Sequence, residues 1–134
     1  MRDIRVIKPG QRDPGTAQTP GMTRVAGVAP STCGAEGIWM GYVTNDAGFT
    51  SSAHHHGDVE SGIYVMSGRL TMRWGERLEH SMDAEAGDFI FVPPQLVHQE
   101  INSSAEPVTS VVARAGENVV VNVSIPEADV LPSQ

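Results

Sequence analysis

Cysteine is almost absent from this sequence: Cys33 is the only one in 134 residues. An intrachain disulfide is therefore excluded, and the usage fits a reducing compartment. With no histidine or second cysteine near it in the chain, Cys33 reads as a buried or idle thiol rather than a nucleophile. Long apolar runs are missing too. No stretch approaches the ~18 apolar residues of a membrane span, so no membrane partner is expected. The opening residues, 1–9, lack the apolar centre of a secretion signal, and the expectation is a cytoplasmic protein. Positive charge is scarce, with nine Lys and Arg against 16 Asp and Glu and a net charge of −7. A field of that sign disfavours nucleic acid and anionic lipid surfaces. There is no DNA-binding helix pair, no glycine-rich phosphate loop, no serine nucleophile elbow, no internal repeat and no low-complexity segment.

What remains is the profile of one soluble globular domain. The length suits a single domain of roughly 100–200 residues. Hydrophobic residues are 40% and charged residues 19%, enough apolar material to build a core. Fourteen glycines and nine prolines punctuate the chain and work against long helices. No 3.6-residue periodicity is sustained over 11 residues. Short alternating stretches bounded by Gly, Pro, Asn or Asp recur instead, which is the strand signal. Residues 69–74 are the cleanest, with Leu70, Met72 and Trp74 on one face and Arg69, Thr71 and Arg73 on the other. The apolar run 63–66 suits a strand covered on both faces. Further strands are expected at 4–8, 22–28, 38–44, 49–56, 88–92, 97–102, 108–114 and 119–125. About ten closely spaced strands imply a sandwich or barrel. Residues 11–20 read as a loop and 126–134 as a loosely held tail. Leu70, Met72, Val92, Val111 and Val121 are the expected core. Trp39, Met40, Tyr42, Tyr64 and Met66 also read as core residues, some of them able to line a barrel interior.

The chemistry lies in the histidines. His54, His55 and His56 are consecutive. On a strand, His54 and His56 point to one face and His55 to the other. Two imidazoles at i and i+2 can grip one metal ion. Glu60 follows four residues after His56, and His98 stands in a separate strand just after Pro93-Pro94. Glu100 and Asn102 share the face of His98 on a regular strand, so Glu100 is a candidate base near the metal or an alternative carboxylate ligand. His80 reads as a surface residue.

The framing of these residues carries a resemblance. Gly48, five residues, His54-x-His56, then Glu60 and Gly68 resembles the first motif of the cupin superfamily. Gly87, five residues, Pro93, then His98 and Asn102 resembles the second. The resemblance implies an all-β fold, a single double-stranded β-helix or jelly-roll barrel. It also implies a divalent metal ion held by His54, His56, His98 and Glu60. Two positions depart from the pattern. The motif's glutamate usually stands seven residues before its last glycine, which here is Ser61, so Glu60 is one residue early. A one-residue slip reverses the side-chain face, and a bulge near Ser61-Gly62 would be needed to turn Glu60 inward. Gln95 occupies a position that is often glycine.

Neutral imidazoles suit Zn, Fe, Ni and Cu, while an added carboxylate is compatible with Fe(II) and Mn(II). The expected ion is Fe, Mn, Zn or Ni. Three histidines, with or without Glu60, leave coordination positions open, as a catalytic site needs. The expected function is a small metalloenzyme acting on a small organic molecule by dioxygenase-type or isomerase-type chemistry. The alternative is a non-enzymatic small-ligand sensor or accessory protein. A homodimer is expected, with the apolar segment 4–7 reaching a neighbour and hiding a sheet edge.

Overall fold

The computed structural model of the protein describes residues 3–125. Among them are ten strands: β1 (Met22–Val28), β2 (Trp39–Asn45), β3 (His54–His55), β4 (Ser61–Ser67), β5 (Arg69–Trp74), β6 (His80–Glu85), β7 (Phe89–Val92), β8 (His98–Ile101), β9 (Val108–Arg114) and β10 (Val121–Asn122). They form two antiparallel sheets, ordered β1-β2-β9-β4-β7 and β10-β3-β8-β5-β6, which make the double-stranded β-helix that the resemblance of the motifs implies.

The period of two sets the core. On β9, Val108, Ser110, Val112 and Arg114 are buried and the residues between them are half-exposed. Pairing carries that phase across the first sheet, as Val112 lies opposite Gly41 of β2 and Ile63 of β4. The next inward row is Trp39, Arg114, Ser61 and Val92. Leu70 and Met72 close the core from β5. Each such apolar side chain contributes about 1.5–3 kcal/mol on burial. Val111 and Val121 are not core residues. Val111 falls in the outward phase of β9, and Val121 is 40% exposed on the short edge strand β10. On β4, Ile63 and Val65 are buried while Tyr64 and Met66 are exposed, so this strand is covered on one face only.

Residues 4–8 form no strand, and Ile4 and Val6 are 95% and 68% exposed. The alternation there pairs with no sheet edge, and the backbone bridge to β1 on this side is made by Asp13 with Ala26. The loop 11–20 has no strand of its own, but Gln18 pins it by accepting from the Arg24 amide and donating to the Arg24 carbonyl. β6 is the second of the two strands that the interval between the motifs, 69–86, suits. It is an edge strand that buries only Ala84, so it has no apolar alternation to read. A single helical turn, α1 (Pro30–Cys33), ends at Gly34 in a left-handed conformation. The expected tail lies outside the described residues.

Asn102, at the end of the second motif, is fully buried and acts as a bracket. Its amide nitrogen donates to the carbonyls of Asn45, Asp46 and Glu106, and its oxygen accepts from the amide and hydroxyl of Ser104. It therefore ties the end of β2 to the turn between β8 and β9. Asn102→Ala should cost about 3 kcal/mol or more, since buried carbonyls would lose their donor. A urea midpoint equal to that of the unaltered protein would contradict this role.

Candidate metal centre

The second sheet places the triad. A cross-strand row runs Asn122, His54, His98, Trp74 and His80. His54 and His98 lie directly opposite each other on β3 and β8, and their ring centroids are 4.3 Å apart. His56 lies just beyond β3 and closes the group, 5.0 Å from His54 and 5.1 Å from His98. One nitrogen of each ring can be chosen so that all three lie within 4.8 Å of one another. All three side chains are buried.

The rings are oriented from behind. Nδ1 of His54 bonds to the Ser52 carbonyl at 2.8 Å, that of His56 to Val119 at 2.7 Å and that of His98 to Leu96 at 2.9 Å. A carbonyl can only accept, so each Nδ1 carries the proton and each Nε2 is left with a free lone pair. Backbone support of this kind fixes the tautomer of a metal-ligating histidine. Burial lowers the His54 pKa to about 4, partly opposed by Glu100, and lowers His56 to about 2, with Arg114 adding to the effect. Burial also pushes His98 below the ordinary imidazole value. Three neutral imidazoles, with His54 Nε2 buried and unpartnered, fit a divalent ion.

The two glutamates are placed differently. Glu60 is exposed, beside Gly37 and Ile38, and does not join the triad. β4 pairs in unbroken register from Ser61 to Val65, so no bulge turns Glu60 inward; the irregularity lies between Val65 and Ser67. Ser61 takes the inward position and accepts a hydrogen bond from Arg114. Glu100 is buried in phase with His98, with Oε2 3.8 Å from His54 Nε2. Its backbone is held on both sides by Ser51. Glu100→Gln should therefore weaken metal binding by about tenfold, as loss of a group beside the ligands does. Glu60→Gln should leave affinity, measured by competition with a chelator, unchanged. The reverse order would return the carboxylate role to Glu60.

Other residues keep to the periphery. His55 is half-buried, and its Nδ1 accepts from the Gly57 amide. His80 is exposed and stacks on Trp74. Cys33 is partly exposed in α1 and is not part of the histidine cluster. Gln95 has φ of 58°, the left-handed conformation that glycine adopts most readily. Its amide donates to the Gly57 carbonyl and its side chain to Asp58, which joins the loop after His56 to the turn before His98.

Two interior arginines, Arg24 and Arg114, are the residues that sequence reasoning missed. Each interrupts an inward row of a strand, Met22-x-Arg24-x-Ala26 and Val108-x-Ser110-x-Val112-x-Arg114. A charge in the buried phase was the available signal. A cavity of about 510 Å³ reaches His98 between the edge strands β6 and β7, lined by Met72, Trp74, Met82, Ile90 and Val92 among others.

Comparison with known proteins gives a family and a set of folds. The cupin domain model matches residues 41–122. No curated protein matches the sequence. Similar solved structures include an oxalate oxidase, 24% identical with a TM-score of 0.67, the match covering 81% of this chain and 59% of that one. A conserved uncharacterised protein with a double-stranded β-helix domain from Klebsiella pneumoniae is 20% identical with a TM-score of 0.65, over 82% and 91% of the two chains. Oxalate decarboxylase from Bacillus subtilis is 20% identical with a TM-score of 0.68, over 84% of this chain and 32% of its own. At these identities the likeness is one of fold.

Proposed function

The chain belongs to the cupin family, and from that premise we propose that it is a metal-dependent enzyme acting on a small organic molecule. The observation that carries this reading is the triad: three buried imidazoles, each tied at Nδ1 to a backbone carbonyl and free at Nε2. Three protein ligands leave positions open, unlike the closed shell of a structural site. A divalent ion held by His54, His56 and His98 would supply a Lewis acid for a substrate oxygen or for O₂. Glu100 stands beside His54 with an unpartnered oxygen, placed to accept a proton from a bound substrate. The mainly apolar cavity that reaches His98 offers the approach for a substrate. The chemistry we propose is of dioxygenase or isomerase type.

The test begins with metal analysis of protein purified without added metal. Small acids, thiols, sugars and diketones are then screened under air and under nitrogen. Consumption of a compound by the unaltered protein, but not by His56→Ala, is the expected result. Consumption that stops under nitrogen marks an oxygenase; persistence marks isomerase-type chemistry. Tight binding with no conversion in metal-replete, aerobic conditions would replace the enzyme by a sensor or accessory role.

A homodimer belongs to the same proposal. Tyr64, Met66, Phe89 and Phe91 leave an apolar patch on the outer face of β4 and β7, which a second copy would cover. Light scattering at tens of micromolar should give the mass of two chains, and a monomer mass would end the idea.

A further inference from the structure

The barrel interior carries more positive charge than it neutralises. Arg24 on β1 is fully buried. Its Nη1 donates to the Thr19 hydroxyl at 2.8 Å, its Nη2 lies 3.9 Å from the Met22 sulfur, and its Nε has no partner. Arg114 on β9 is buried too, donating to Asn118 and Ser61, with its guanidinium 5.7 Å from the Trp39 ring centroid. All of these partners are neutral. Among the described residues, no carboxylate forms an ion pair with either guanidinium. Glu100 is the one buried acidic residue among them, and its field reaches both arginines from beyond contact distance. Burial first, and then the charge of Arg24, lowers the Arg114 pKa to about 9, as expected for two cations near each other in a dry interior.

The triad adds no negative charge, because its imidazoles are neutral. Two guanidinium groups against one carboxylate leave one uncompensated positive charge, and a divalent ion at the triad raises this to three. Burying unmatched charge costs several kcal/mol per ion. A ligand bearing negative charge would relieve that cost at the place where the charge is unmatched. The way in has a different character. The cavity walls are mainly apolar, formed by Met72, Trp74, Met82, Ile90 and Val92, and His98 is its point of contact with the triad; the cation on its lining, Arg73, is buried and donates to the Leu78 carbonyl. Two carboxylates on the same cavity are already engaged: Asp83 by Arg69 and Thr71, and Asp88 by the Glu85 amide.

We propose that the site takes a carboxylate with an apolar body, its charged group beside the triad in the field of Arg24 and Arg114, and its aryl or alkyl part in the cavity between β6 and β7. This rests on the reading that the triad holds a metal ion. It excludes neutral sugars, amides and cations as preferred ligands, and it excludes acids too small to fill the apolar cavity.

The test is calorimetric titration of the purified protein with phenylacetate, phenylacetamide and acetate, with metal content determined in every sample. Phenylacetate should bind about tenfold or more tightly than either of the others. Phenylacetamide lacks the charge and acetate lacks the apolar body. Arg24→Met and Arg114→Met should each weaken phenylacetate by about tenfold while leaving phenylacetamide unchanged, and lysine at either position should restore binding, because it keeps the charge. Where the methionine variants do not fold, the selectivity of the unaltered protein between phenylacetate and phenylacetamide decides. Metal-loaded protein that binds the acid and the amide equally would overturn the proposal. Equal binding of acetate and phenylacetate would overturn the apolar half of it. Selectivity for phenylacetate in protein that takes up no metal would overturn the metal reading alone.

Discussion

Replacing His98 with alanine should remove most of the bound metal and leave the barrel folded. His98 is 2% exposed, lies opposite His54 across the strand pair, and is oriented by the Leu96 carbonyl. Neither remaining imidazole can make up for it, because each is locked by its own carbonyl and cannot swing into the vacated position. Loss of a group that merely supports a ligand costs about 10–100-fold in metal affinity, so loss of a ligand should exceed that range. His54→Ala and His56→Ala should behave alike. The apolar core of Val65, Leu70, Val108 and Val112 does not depend on the ion, so circular dichroism of the variant should match that of the unaltered protein. Metal bound only to the folded state also stabilises it, by about 2.7 kcal/mol when free metal is 100 times its Kd. A chelator should therefore lower the melting temperature of the unaltered protein and leave the variants unmoved. A full metal complement in the His98→Ala protein would refute the site.

Metal-free protein should lose stability steeply as pH falls below about 6.5. In the unfolded chain the triad histidines take up protons near that pH. In the fold, burial holds His54 neutral to about pH 4 and His56 to about pH 2, and it lowers His98 as well. Folded pKa values below the unfolded one mean that the unfolded state binds more protons in acid. Stability is then full above about 6.5 and falls with pH until the folded groups titrate in turn. Each such imidazole contributes a slope of about 1.4 kcal/mol per pH unit through that window. Small domains are held by only about 5–15 kcal/mol, so two or three groups acting together should bring the metal-free protein close to unfolding near pH 4. Urea midpoints recorded from pH 7.5 to 4 measure this directly. A midpoint unchanged between pH 7 and 5 would mean that the imidazoles are protonated, or exposed, in the fold.

Much of the site can be read without a structure. Two histidines at i and i+2 share a face on any strand, and the alternation at 69–74 and 108–114 already implies sheets with one wet side. The choice between Glu60 and Glu100 was different. It turns on the phase of β4, and a single residue of register separates a metal-facing side chain from a solvent-facing one. Ser61 takes the inward phase because Arg114 on one side and Val92 on the other fix the row to which it belongs. That row exists only once β4 lies between β7 and β9.

Strand β6 and residues 4–8 misled for a related reason. β6 shows no alternation because it buries only Ala84, and residues 4–8 alternate but join no sheet edge. Burial is a property of what lies opposite: the edge strand β1 shows its alternation because its inward side chains meet the core, whereas β6 offers only Ala84. So the amino-acid sequence by itself determined the all-β class, the two motifs and the three imidazoles, because strand periodicity and ligand spacing are local. Tertiary structure alone decided which carboxylate faces the triad and that Arg24 and Arg114 share its interior without a matching acid. Those relations join strands far apart in the chain, through cross-strand register and burial.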